Sequence, residues 1–388
     1  MNRFDNAELE AVRRVIERGK YLSGFTSKYR GGDEVQKFEE KFAKYIGVKH
    51  AISFNSGTTA LFTAFRSIIE FGIKNRKWKT SKPEIHMPAY TFTADPSAAL
   101  LAGGKVVFND INSKTFCMNP PQTPCFISTP THLLGNSPNS VDFGNAEFGV
   151  EDCCQALGTT VNGKKVGSFG DMSVFSFQET KHITTLGEGG MVCSDNEELI
   201  RIASAIRNHA EFYLDESFLG YNFRMIEAQA AFGSAQLKKI NSILSSFRKN
   251  AKYIMKKLPY GITPPFIPSR VEHSFLIIGC LFDEKKVGAS REDFLNKLTQ
   301  NRKHILARDD ASDIKGINMK SGKLISTGYA KPLYDVPVYK KFKPKNGCPN
   351  VEKVVSRSLW MDIHRFRTRN EMSEELDILH DTVKGFQK

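Results

Sequence analysis

The chain predicts an α/β protein: a large domain with a mostly parallel sheet between helices, followed by a smaller α+β domain. Three observations predict it. From about residue 50 to 245, short apolar runs alternate with stretches whose apolar residues recur at helical spacing. The strands end in polar or glycine-rich turns, as at Asn55–Thr58 and Gly187–Gly190. At 388 residues the chain also exceeds what one small core organises, so residues 1–245 are assigned to the large domain and 246–388 to the small one.

Taken in order, Asp5 or Asn6 can cap a first helix with Leu9, Val12, Val15 and Ile16 on its apolar face. A polar loop over Gly24–Gly32 leads to a second helix with Val35, Phe38, Phe42 and Tyr45 on one side. Ala51–Phe54 is a strand, and from Thr59 a helix turns Leu61, Phe62, Phe65, Ile68 and Ile69 inward. The run 85–110 reads strand, loop, helix, strand, with Phe92 where the helix begins. Cys125–Ser128 and Phe148–Val150 are further strands, the second ending at Asp152 with Gln155 three residues on. Asn162-Gly163 is a hairpin turn.

Val174, Phe175 and Phe177 begin a buried strand that breaks at Lys181 and ends in Gly187, Gly189 and Gly190. Met191–Cys193 is a strand, Asn196–His209 a helix, and one long helical pattern spans Ile226–Phe247. Pro259–Pro268 reads as a linker. Beyond it lie a strand at Ser274–Phe282 and helices at Arg291–Asn301, Val351–Leu359 and Glu371–Val383.

Composition narrows the function classes. No apolar run approaches the roughly 18 residues that cross a bilayer. The charged N-terminal stretch carries no apolar signal core. A cytoplasmic protein without a membrane partner is expected. Seven cysteines without a CxxC pair, two of them adjacent (Cys153 and Cys154), argue against a disulfide framework or a zinc site, so no metal is expected. The net charge of +13 is dispersed, with local density only at 74–82 and 340–345. That pattern suits small anionic ligands better than nucleic acid.

The chemistry lies at the strand ends, where side chains of an open parallel sheet face a ligand crevice. Lys181, held between a core strand and a glycine turn, is a candidate Schiff-base former, since a partly desolvated amine loses its proton more readily. Ser56, Gly57 and Thr58 open a helix and can seat an anion on backbone N–H groups. Singly these are weak signals. A loop lysine is more often a solvated group, a Ser-Gly-Thr turn is often only a cap, and an aromatic such as Phe92 is usually a core plug. Together they match the needs of pyridoxal 5′-phosphate (PLP). Lys181 supplies the imine, Asp152 a carboxylate for the ring nitrogen, Ser56–Thr58 with Ser176 the phosphate seat, and Phe92 a face for the ring.

The stretch EDCCQALGTTVNGKKVGSFGDMSVFSFQETKHITTLGEGGMV resembles the DegT/StrS family of PLP-dependent nucleotide-sugar aminotransferases. The likeness continues through GKYLSG, SGTTAL, PAYTFTAD, GYNFRMIEAQAAFGSAQL and CPNVEKVVSRSLWMDIH, in that family's order. It implies fold type I, with a mostly parallel seven-stranded sheet. It also implies a homodimer with shared active sites, in which Asn222 of GYNFRM reaches the phosphate bound by the neighbouring subunit. Lys181 is then the Schiff-base lysine, Asp152 pairs with the pyridine nitrogen, Gln155 lies near the ring hydroxyl and Phe92 stacks on the ring. Gly57, Thr58 and Ser176 hold the phosphate. Tyr329 in STGYAKPLY approaches the sugar, and His132 is taken as a further substrate contact.

The implied reaction moves an amine from L-glutamate to the keto group of a nucleotide-linked sugar, most simply a 4-keto-6-deoxy sugar. A PLP-dependent dehydratase or lyase of the same fold is the alternative. Such relatives carry histidine where this chain has Lys181, and His182 is expected to point elsewhere. A non-enzymatic protein of the same fold is disfavoured by the full set of cofactor residues.

Overall fold

The computed structural model describes residues 4–23, 30–75, 82–210, 219–301, 325–363 and 368–387. Helices α1 (Asn6–Glu17) and α2 (Asp33–Ile46) precede β1 (His50–Phe54) and α3 (Gly57–Lys74). Then come β2 (Glu84–Pro88), α4 (Ala94–Leu101), β3 (Lys105–Asn109), β4 (Cys125–Ser128) and β5 (Ala146–Asp152). The Asn162-Gly163 turn joins β6 (Thr160–Val161) to β7 (Lys164–Lys165) as expected. They lead to β8 (Met172–Ser176), β9 (Gly190–Ser194) and α5 (Glu197–Arg207). The polar loop expected at Gly24–Gly32 falls largely outside the described residues.

The large sheet has the order β1-β9-β8-β5-β4-β2-β3. β9 is antiparallel to both neighbours, and every other pairing is parallel, so six strands run one way. Strand alternation divides its side chains between two covers. Val174, Val192, Ile52 and Phe54 pack with α3, α4 and α5 on one face. Phe175, Met191 and Cys193 pack with Val35, Phe38 and Phe42 of α2 on the other. Burial on both faces is why these strands read as continuous apolar runs.

Helix α1 departs from its expected face. Asp5 does cap it, in a capping box with Glu8. Its buried positions, however, are Glu8, Ala11 and Val15, while Leu9 and Ile16 are exposed. The helical pattern at 226–247 is also two helices, α6 (Glu227–Lys238) and α7 (Ile240–Met255), which turn at Lys239. The two have different neighbours. α6 lies against α1 and α2, whereas the stripe Ile243, Leu244, Phe247 and Ile254 of α7 joins the core that continues into the C-terminal region. The boundary expected at residue 245 falls inside α7.

The C-terminal region builds an antiparallel sheet, β10-β12-β14-β13, from β10 (Ile262–Thr263), β12 (Ile277–Phe282), β13 (Ile325–Ser326) and β14 (Ser358–Asp362). The proline-rich 259–268 stretch is therefore more than a linker, since it contributes β10. A short β11 (Val271–Glu272) pairs with β6. Helices α8 (Glu284–Val287), α9 (Arg291–Asn301), α10 (Pro349–Arg357) and α11 (Arg369–Lys384) complete the region. The helix expected to reach Leu359 stops at Arg357. Leu359 and Met361 are then drawn into β14, because there they are buried between β12 and β13. No described helix is long and apolar enough to cross a membrane.

Candidate active site

The parallel strands β4, β5 and β8 end along one edge of the large sheet, and the expected residues gather there. Asp152 closes β5, nearly buried, and its Cα partner in β8 is Val174, two residues before Ser176. Its Oδ1 accepts from the Cys154 N–H at 2.9 Å, which holds the carboxyl against the strand end.

Gly57, the first residue of α3, is backed directly onto this edge. A Cβ at Gly57 would lie 2.9 Å from Ser176 Cβ and 3.4 Å from Cys154 Sγ, so only glycine lets the helix start come so close. The first amides of an 18-residue helix and the Ser176 hydroxyl thus share one small region. A helix N-terminus there favours an anion. Ser56 is the N-cap, its Oγ accepting from Thr59 N–H at 3.1 Å. Thr58 stands exposed beside it.

Lys181 sits on a loop tied closely to the core. Phe177 O accepts from Thr185 N–H at 3.2 Å and from Thr184 Oγ1 at 2.8 Å, and Gly187 O accepts from Glu179 N–H at 2.8 Å. Gly187 takes the positive φ of +104° that lets the loop close. The lysine is half-buried. Burial pushes its amine below the usual lysine range, although Cys154, Asp152 and Glu188 each pull it back up. The net direction is toward a more readily deprotonated amine, with Asp152 among the charges that act on it.

Gln155 bridges two segments. Its Oε1 accepts from Leu134 N–H at 2.9 Å and its Nε2 donates to Tyr329 Oη at 3.0 Å. Burial raises the Tyr329 phenol well above its usual range, so its hydroxyl keeps a proton to donate. Phe92 is 48% exposed, its ring centroid 6.4 Å from that of Tyr329. Phe92 therefore offers an exposed aromatic face beside Tyr329.

Three residues stand apart from this cluster. His132 has no accessible surface, and its Nε2 bonds Glu151 Oε2 at 3.0 Å. This corrects the expectation of a substrate contact: the imidazole is sealed beneath the strand ends, where it braces Glu151. The same Glu151 carboxylate accepts from the backbone N–H groups of Gly167, Phe169 and Gly170 at 2.8, 2.7 and 3.0 Å. His182 turns away from Lys181, bonding Ser274 O at 3.1 Å and packing on Phe247. Asn222 is exposed, bridged to Asn208.

Sequence reasoning passed over three site neighbours. Glu151 and Cys154 lay inside a stretch read for Asp152 alone. Asp95 is buried in the first turn of α4, with Oδ2 accepting from Thr91 Oγ1 at 2.6 Å. A carboxylate inside the otherwise apolar run FTADPSAAL was the available signal.

A phosphorylated pyridine aldehyde fits these groups. The uncovered helix amides and Ser176 suit its phosphate, Asp152 its ring nitrogen, Phe92 its face and Lys181 its aldehyde carbon. Among solved structures, a GDP-4-keto-6-deoxymannose-3-dehydratase with a trapped PLP–glutamate geminal diamine superposes with a TM-score of 0.79 at 23% identity, over 98% of each chain. The spore coat polysaccharide biosynthesis protein SpsC of Bacillus subtilis is 27% identical, over 97% of this chain and 95% of its own. A UDP-4-amino-4,6-dideoxy-N-acetyl-beta-L-altrosamine transaminase of Campylobacter jejuni is 36% identical, over 54% of this chain and 58% of its own. The sequence model of one family matches residues 3–309. With the site geometry and that match in agreement, the chain belongs to the DegT/DnrJ/EryC1/StrS aminotransferase family.

Proposed function

We propose that this protein is a PLP-dependent aminotransferase moving an amino group from L-glutamate to the keto group of a nucleotide-linked sugar, with a 4-keto-6-deoxy sugar as the expected acceptor. The observation that carries this reading is Lys181: an amine half-buried on a tied loop, lowered in proton affinity by burial, with the Asp152 carboxylate acting on it. When bound, the cofactor supplies an electron sink for the carbon that loses its proton. Lys181 would hold the cofactor through its amine and would serve as the base that moves a proton to and from the substrate carbon. Asp152 keeps the ring nitrogen protonated, and Gln155 orients the ring hydroxyl. Ser176 with the first amides of α3 anchors the phosphate, helped by the hydroxyls of Ser56 and Thr58. Phe92 covers one ring face, and Tyr329 donates to the sugar.

The working unit is proposed as a homodimer, with Asn222 completing the phosphate seat of the partner subunit. Exposed apolar residues on either side of Asn222 in the chain, namely Leu219, Tyr221 and Ile226, support this, since such residues together favour an interface. A cytoplasmic location is consistent with substrates of this kind.

The test is direct. Purified protein given PLP should turn yellow, and Lys181→Ala should lose that absorbance. With glutamate and a panel of dTDP-, UDP- and GDP-linked keto sugars, wild type should yield an amino sugar identified by mass and NMR. A colourless wild type in excess cofactor would end the proposal. A product that has lost a hydroxyl without gaining nitrogen would instead establish the dehydratase reading, which a dehydratase among the structural neighbours keeps in view.

A further inference from the structure

Asp95 and Asp152 are two buried carboxyl groups at the same end of the large sheet. Asp95 has no accessible surface, and its Oδ2 is taken by Thr91. Its Oδ1 has no donor among the described residues, and Asp152 is close by: Thr91, which bonds Asp95, lies 3.4 Å from Thr131 Oγ1, and Thr131 bridges to Asp152. If both acids were ionised, an acceptor would be buried without a donor and two like charges would share a site of low polarity. Either arrangement is costly. One proton on Asp95 removes both problems, because Oδ1 becomes a donor and one of the two charges is gone.

The surroundings decide which acid holds that proton. Asp152 already accepts from the Cys154 amide and has the Lys181 amine in its field. Among the described residues Asp95 has no hydrogen bond or ion pair to a cation. The ionisable groups around it are Asp152, the thiol of Cys154 and the phenol of Tyr329, none of which offsets a negative charge. Burial first, and Asp152 second, push the Asp95 carboxyl well above the usual carboxylate range.

We infer that Asp95 is a positioning residue that remains a neutral acid and donates a hydrogen bond to Asp152, fixing the carboxylate that faces the cofactor's ring nitrogen. The inference rests on the reading of Asp152 given above. A carboxylate that accepts a bond from a neutral acid is held in one rotamer, ready to face the ring nitrogen. Thr91, itself 3.4 Å from Thr131 Oγ1, holds the Asp95 carboxyl by its Oδ2 and leaves Oδ1 for the proton.

Two measurements test it. At neutral pH the infrared spectrum of the cofactor-free protein should contain a carboxylic-acid carbonyl band that Asp95→Asn removes. Binding of PLP, followed by fluorescence, should weaken roughly 10- to 100-fold in Asp95→Leu, the expected loss of one hydrogen bond to a charged group. Asp95→Asn, which still offers a donor, should restore affinity to within about threefold. Absence of the infrared band in wild type overturns the inference, and that arm stands even if Asp95→Leu fails to fold. An Asp152→Ala variant that binds PLP as tightly as wild type overturns the ring-nitrogen reading and this inference with it. Weak binding by Asp152→Ala beside wild-type binding by Asp95→Leu overturns the inference alone.

Discussion

The Nε2 of Gln155 donates to the hydroxyl of Tyr329 at 3.0 Å, joining the cleft edge of the large sheet to a segment of the C-terminal region. Tyr329 also meets the ring of Trp360 in β14 edge-on, with centroids 4.7 Å apart. The side chain proposed to meet the sugar is thus oriented by one proposed to meet the cofactor.

Removing that hydroxyl should therefore separate the two half reactions. Tyr329→Phe leaves the Gln155 donor unmatched and takes a donor from the sugar. A cost of about 0.5–1.5 kcal/mol, or roughly two- to tenfold in kcat/KM for the keto sugar, is expected. The glutamate half reaction, followed by the cofactor's absorbance, should fall less. Equal losses in both would show that Tyr329 acts on the cofactor alone.

Glu151 should matter to folding more than to chemistry. Its two oxygens take three backbone N–H groups and His132. Glu151→Gln would turn an amide N–H₂ toward a backbone N–H in a sealed site. Stability should drop by about 3 kcal/mol or more, seen as a lower urea midpoint at unchanged slope. A variant as stable as wild type would remove Glu151 from this role.

A buried imidazole predicts acid lability. Burial, reinforced by the nearby His182 and Arg248, lowers the His273 pKa to about 3, and the neutral ring accepts from Phe275 N–H at 2.8 Å. The unfolded chain binds this proton at the ordinary value of 6.5 and the folded one does not. The contribution is complete above 6.5 and is lost as pH falls from there toward 3. Its size is on the order of 4 kcal/mol. His273→Asn should flatten that part of the curve of unfolding free energy against pH, and an unchanged curve would place the acid sensitivity elsewhere.

Shared sites predict complementation. Lys181→Ala and Asn222→Ala should each be poorly active alone. Co-expressed, the mixed dimers of the proposed assembly would have one site that carries both changes and one that carries neither. Random pairing then restores about one quarter of the sites. Mixtures that stay as inactive as either parent would mean that Asn222 serves its own subunit.

Much of the fold and site could be read from the chain because the relevant signals are local. Strand-ending glycines, the helix opening at Gly57, Asp152 at the end of an apolar run and Lys181 before a glycine turn are matters of spacing and backbone freedom over a few residues. The fold class and the cofactor follow from them together. The misreadings have one physical source as well. The outward turn of Leu9 and Ile16, the break at Lys239, the entry of Leu359 into β14 and the sealing of His132 all depend on what each segment packs against.

The sequence by itself determined which groups the protein could bring to a pyridine ring, because residue type sets their chemistry. Only the tertiary structure decided that His132 meets Glu151 and that Gln155 meets Tyr329. Those meetings arise from strand order and helix placement, which bring together side chains that no local pattern connects.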